Sequence, residues 1–316
     1  MIINGYVLDG DLKNEDSGFS KWAFCNKNGK EYFIKEFLAP TYPVDKSKMT
    51  EKQAERKLKE CKKFENRLLE MYRVINKVSD GNVVRIQEFF RCNSKYYIVT
   101  EKINHSGMSI DEISKLPYHA IKFICKVITH AMLRLHNEGF VHADIKPNNV
   151  LVTADEYNKK YTAKIIDFDC GFFGTEPPEP GEELNGDPIH FAPEMLLHMM
   201  EEDVALSCKI DVFALGVLFH QYMTGKQPLF DTTKYDYAAE AILDDSPIRI
   251  DESIPSEFAN ILRKMLVKEP FERISLQEVY DSLSYKKKIE TVQANTNKFD
   301  FEELDSNIKI YKGNKN

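Results

Sequence analysis

The chain has 316 residues, of which 42% are hydrophobic, with 43 Lys+Arg against 50 Asp+Glu. That is ample for a sizeable core, and only 14 Gly and 13 Pro exclude collagen-like and low-complexity chains. A formal charge of −7 argues against nucleic-acid partners, which call for a basic excess, and no apolar run reaches membrane-spanning length, so no membrane contact is expected. The first residues lack the basic start and apolar run of a secretory signal. In the first third, residues 20–25, 31–37, 83–90 and 96–103 are rich in aromatic and β-branched side chains and read as strands, with Asn28-Gly29 as a hairpin turn. Between the second and third, Ala54, Leu58, Cys61, Phe64, Leu68, Tyr72 and Ile75 recur every three or four residues. That spacing predicts a long amphipathic helix from near Lys48 to the stop at Ser79-Asp80-Gly81. Beyond residue 107 the chain turns helical. One helix is expected over 118–137, closed by Gly139, and others over 211–223 and 257–267, with two short buried strands at 150–152 and 164–168. Residues 175–188 hold four prolines and form no element. The six cysteines, 25, 61, 92, 125, 170 and 208, are scattered without metal-ligand spacing, which suggests free thiols in a reducing cytoplasmic compartment and no structural zinc.

The chemistry concentrates in His142-Ala143-Asp144-Ile145-Lys146-Pro147-Asn148-Asn149, followed by Ile165-Ile166-Asp167-Phe168-Asp169. Two carboxylates and an amide around a turn and a strand end are what holding Mg²⁺ and steering a hydroxyl nucleophile need. The pair of segments resembles the eukaryotic-type serine/threonine protein kinases, whose H-R-D-x-K-P-x-N loop is departed from only at Ala143. Phe33-Ile34-Lys35, Ala192-Pro193-Glu194, the stretch from Asp211 to Gly216, and Lys268 to Arg273 resemble further landmarks of that family, in its order.

The resemblance implies an α+β, two-lobed fold over residues 1–285. A small β-rich N-lobe with one long helix (1–101) would lead through a hinge (101–106) to a larger helical C-lobe (107–285), leaving 286–316 as a polar tail. It implies ATP and Mg²⁺ as cofactors. Asp144 would orient the substrate hydroxyl and accept its proton, and Lys146 would neutralise charge on the transferring phosphoryl group. Asn149 and Asp167 would ligate the metal. Lys35 would hold the α- and β-phosphates and pair with a helix glutamate, best fitted by Glu65 because Leu68 and Leu69 follow it, with Glu60 and Glu70 as alternatives. Thr100 falls at the gatekeeper position, and Glu101 to Ile103 would meet the adenine. Asp211 would brace the catalytic loop and cap its own helix. The Lys-Pro after Asp144 favours Ser/Thr over Tyr as acceptor.

Several positions depart from the family pattern. The phosphate-covering loop carries Glu15, Ser17 and Ser20 where the family has glycines. Close backbone approach to phosphates favours Gly and Glu15 would repel them, so Ser17 and Ser20 are left as the candidate contacts, Ser20 as a hydrogen-bond donor, and a modest ATP affinity is expected. Asp169 replaces the glycine of D-F-G, which restricts the loop. Ala143 replaces the arginine that receives a phosphorylated activation loop, and Thr175 is the only hydroxyl side chain from 167 to 194, so control by loop phosphorylation is not expected. Asp187, where Ser/Thr kinases carry threonine, is expected to pair with Lys146 and crowd Asp144. The alternative readings are a pseudokinase acting as a nucleotide-binding or scaffolding module, and a small-molecule kinase.

Charge divides along the chain. Residues 1–105 carry 20 basic and 15 acidic side chains, the remainder 23 and 35. Residues 46–63 alone hold eight basic and three acidic side chains, a solvated face or a docking surface for an acidic partner. The acidic second part suggests a protein substrate with basic residues near the phosphoacceptor.

Overall fold

Tight turns and one long apolar stripe shape the first hundred residues of the computed structural model, which describes residues 1–14, 20–47, 49–103, 107–155, 160–182 and 184–284. Strands β1 (Ile2–Ile3) and β2 (Tyr6–Leu8) pair across Asn4-Gly5. Strands β3 (Ser20–Lys27) and β4 (Lys30–Phe37) pair along their full length across Asn28-Gly29. Both residues of that turn take positive φ, 55° and 77°, the backbone that suits the twist of a two-residue hairpin. Helix α1 (Glu51–Val78) follows, opened by a reciprocal cap between Thr50 and Gln53. Strands β5 (Ile86–Cys92) and β6 (Lys95–Glu101) complete an antiparallel sheet in the order β1-β2-β3-β4-β6-β5. The stripe Cys61, Leu68, Met71, Tyr72 and Ile75 of α1 is buried in one core with Phe37, Ile86, Tyr96 and Ile98 of the sheet.

The remainder is mostly helical. Helices α2 (Ile110–Ser114) and α3 (Tyr118–Asn137) lead to β7 (Phe140–Val141), through a left-handed Gly139 at φ 74°. The hairpin of β8 (Val150–Asp155) and β9 (Lys160–Ile165) lies next along the chain, and β10 (Phe172–Phe173) returns to pair with β7. Helices α4 (Pro193–Met199), α5 (Lys209–Thr224), α6 (Ala238–Leu243), α7 (Ser256–Met265) and α8 (Leu276–Leu283) complete the lobe. Helix α5 is apolar on nearly every side, as its sequence requires of a helix at the centre of a domain, and 12 of its 16 residues are buried.

The architecture is the expected α+β arrangement of a β-rich and a helical lobe, and the structure revises its details. β1 and β2 are additions, too short for a period to reveal. The strand expected over 83–90 begins only at Ile86, because Val83 and Val84 leave the sheet to bond Ile165 of the other lobe. The strand expected to run to Phe168 stops at Ile165, ahead of Asp167, whose φ of 59° is incompatible with a strand. Asp211 is no helix cap: Cys208 holds that position, and Asp211 lies three residues inside. The expected tail, and the loop with Glu15 and Ser17, lie outside the described residues. All six cysteines are free, and among the described residues no helix is long and apolar enough to cross a membrane.

Candidate active site

A cleft of about 540 Å³ opens between the sheet and the β8–β9 hairpin, in the size range of small-molecule sites. Phe24 of β3 and Phe33 of β4 line it with Val84, Ile98, Leu151 and Ile166, making a flat apolar slot. Thr100, Glu101, Lys102 and Ile103 form its edge. The Glu101 carboxylate is already engaged, accepting from Lys164 at 2.6 Å, and its backbone N–H donates to the Arg85 carbonyl. Ser20 is buried at the start of β3 opposite Phe37 and is not among the residues lining the cleft. Phe24, Phe33 and Leu151 had escaped sequence reasoning. Alternation with Trp22 along β3 could have flagged Phe24.

At the deep end, Lys35 projects from β4 with only 9% of its side chain exposed. Its Nζ lies 3.0 and 3.1 Å from the two Asp167 oxygens and 2.7 Å from Asp169 Oδ2. Burial lowers a lysine, but the two adjacent carboxylates outweigh it and raise Lys35 above its ordinary value. Burial likewise pushes Asp167 up, and the Lys35 charge and hydrogen bond reverse this, holding Asp167 below the usual carboxylate range. Asp169, where burial dominates, is pushed above it. The expected Lys35–Glu65 pair is not made: Glu65 accepts a 2.8 Å hydrogen bond from the Tyr96 hydroxyl instead, and the alternatives Glu60 and Glu70 are exposed.

The loop that carries Asp144 is held from beneath. Asp211 of α5 accepts from the backbone N–H groups of His142 (2.8 Å) and Ala143 (2.9 Å), and its carboxylate contacts His136 Nε2 at 2.9 Å. Burial alone would lower His136, yet its bonds to Asp211 and Cys208 raise it to about 9, so the brace is an imidazolium–carboxylate pair. His136 was missed in the sequence because a lone histidine near a helix end carries no distinguishing pattern. This hold keeps Ala143, immediately before Asp144, in the left-handed region at φ 62°.

Asp144 Oδ2 receives Asn149 Nδ2 and Lys146 Nζ, both at 2.8 Å, and Oδ1 receives the Asp187 backbone N–H at 3.2 Å. The expected Asp187–Lys146 pair does not form. The Asp187 side chain turns away to accept from the Ile189 N–H and to meet His190 Nδ1 at 3.3 Å, and the His190 hydrogen bond leads the causes that hold it below its ordinary value. Gly186 is required here by space: a Cβ would sit 2.7 Å from the Phe191 ring and 3.3 Å from Asp144 Oδ1. Two clusters result, Lys35 with Asp167 and Asp169, and Asp144 with Lys146 and Asn149, and the bond from the Ile166 N–H to the Asn149 carbonyl at 2.9 Å ties their segments together. Oriented carboxylates, an amide and two ammonium groups suit the handling of a polyanion and a hydroxyl.

Residues 44–283 match the family described as protein kinase domain. Among curated proteins, the chain is 25% identical over 239 residues to Serine/threonine-protein kinase ATG1a of Arabidopsis thaliana, covering 73% of this chain and 36% of that one. It is 29% identical over 206 residues to protein kinase C zeta type of Oryctolagus cuniculus, covering 62% and 33%. The chain therefore spans about a third of the length of these relatives. Among solved structures, the kinase PK-1 of Cydia pomonella granulovirus superposes with a TM-score of 0.61 at 19% identity, covering 88% of this chain and 92% of that one.

Proposed function

Since the chain belongs to the protein kinase family, we propose that it transfers the γ-phosphoryl group of ATP to a serine or threonine hydroxyl of a protein. The observation that carries this reading is the pairing of Lys35 with Asp167 at the deep end of an apolar cleft, with the Asp144, Asn149 and Lys146 cluster tied to the same segment by the bond from the Ile166 N–H to the Asn149 carbonyl. The donor set fits Mg²⁺: with Asn149 Nδ2 committed to Asp144, what its amide still offers is the hard Oδ1 acceptor, alongside the ionised Asp167. When bound, the metal neutralises phosphate charge and acts as a Lewis acid.

The chain's own residues supply the rest. Phe24, Phe33 and Leu151 clamp the base, and Lys35 grips phosphate oxygens. Asp144, fixed at both carboxylate oxygens, orients the acceptor hydroxyl and takes its proton, and Lys146 screens the charge that develops beside it. Regulation by loop phosphorylation is not part of this reading, because Ala143 offers no cation to a phosphate and Thr175 is the sole hydroxyl side chain from 167 to 194. The acidic C-lobe favours protein substrates with basic residues beside the acceptor. The basic residues of 46–63, exposed wherever they are among the described residues, suit an acidic partner.

A second reading, a pseudokinase that binds nucleotide without transfer, is favoured by the engagement of Lys35 with two carboxylates. Radiolabelled ATP with Mg²⁺ and a basic protein acceptor separates the two. Wild type and Thr175→Ala are expected to label the acceptor equally, while Asp144→Asn loses at least about 10²-fold. Nucleotide binding with no label above the Asp144→Asn background would decide for the pseudokinase.

A further inference from the structure

We propose that Asp169 is the positioning carboxylate of Lys35, performing from the segment after Phe168 the task for which the resemblance implied a glutamate of α1. This rests on the phosphoryl-transfer reading only for its consequence in catalysis; the anchoring itself concerns how the chain binds nucleotide. The Lys35 Nζ approaches Asp169 Oδ2 to 2.7 Å, closer than either Asp167 oxygen. On α1, Glu65 is engaged by the Tyr96 hydroxyl, and Glu60 and Glu70 point to solvent. A glycine at position 169 could supply no carboxylate, so the replacement of that glycine and the missing helix pair are two sides of one rearrangement.

Arg67 of α1 lines a cavity of about 90 Å³ together with Asp169, Cys170 and Glu182. With Asp169 holding the ammonium, Asp167 would be free to hold a metal.

The test is a double-mutant cycle on the full chain, read as the dissociation constant of Mg·ATP by calorimetry. Asp169→Asn is expected to weaken binding about tenfold in the wild-type background and to cause no loss in a Lys35→Ala background. Asp169→Glu, which restores the charge, is expected to stay within about threefold of wild type, and Glu65→Gln within about twofold. A purely structural role for Asp169 would cost the same with or without Lys35, and that result overturns the proposal. So does a wild type whose ATP affinity is indifferent to Lys35, or a loss on Glu65→Gln with none on Asp169→Asn. If the wild type binds ATP through Lys35 but labels no acceptor, the transfer reading fails, and the cycle still decides the anchoring.

Discussion

His136 and Asp211 face each other in a site with almost no water, 8% and 1% exposed, so the charge of one is tied to the charge of the other. A histidine raised from 6.5 unfolded to about 9 folded stabilises the fold fully below the unfolded value and loses that contribution as pH rises through the folded one. The difference corresponds to about 3 kcal/mol. We expect the urea-unfolding free energy to fall by about 2 kcal/mol between pH 7 and pH 9.5, and to fall distinctly less in His136→Gln. A wild type and variant with parallel pH curves would show that the imidazole is not charged. At this scale the sequence was legible where a motif sets which residues meet, as for Asp144 with Asn149, which hydrogen-bond each other at 2.8 Å. It failed where the role depends on helix rotation. Glu65 was chosen because Leu68 and Leu69 were both expected to pack, but Leu69 is 51% exposed, and the buried stripe runs instead through Leu68, Met71 and Tyr72.

Between elements, the most committed contact is that of Arg273 with Glu194 at the start of α4. The guanidinium, wholly buried, meets both Glu194 oxygens at 2.7 and 3.0 Å and fills its other donors with the carbonyls of Val267, Lys268 and Lys209. This fork joins the segment leading from the active site to the turn before α8. Removing one partner leaves a buried charge alone, so Arg273→Leu should lower the unfolding free energy by about 3–5 kcal/mol, measured by urea titration. A loss under about 1 kcal/mol would mean that Glu194 finds water or another cation. The long helices α1 and α3 were readable because many turns repeat one apolar period, and α5 because its run is apolar nearly throughout. The ends of β5 and β9 were not, since Val83 and Val84 look like strand residues yet bond across the lobes, and only the left-handed Asp167 stops β9.

At the scale of the molecule, charge is sorted along the chain: residues 1–105 carry a surplus of five basic groups, the rest a surplus of twelve acidic ones. Eight of those carboxylates lie between Asp167 and Glu194, a span without Lys or Arg beside Asp144. Peptides with basic residues near the acceptor should be turned over about tenfold faster than acidic counterparts at low ionic strength, and the preference should shrink in ~0.5 M salt. Equal turnover would remove the link between this charge and substrate choice. Helix α5 adds a consequence in time rather than in space. Its amides lie inside the helical lobe and are expected to meet deuterium only when that lobe comes apart, whereas those of β1, at the sheet edge with Ile2 70% exposed, are expected to exchange early. The carboxylate that braces the catalytic loop belongs to the slower of these clocks. The loop's posture therefore lasts as long as the fold itself, and slow wear at the margins of the molecule does not reach it.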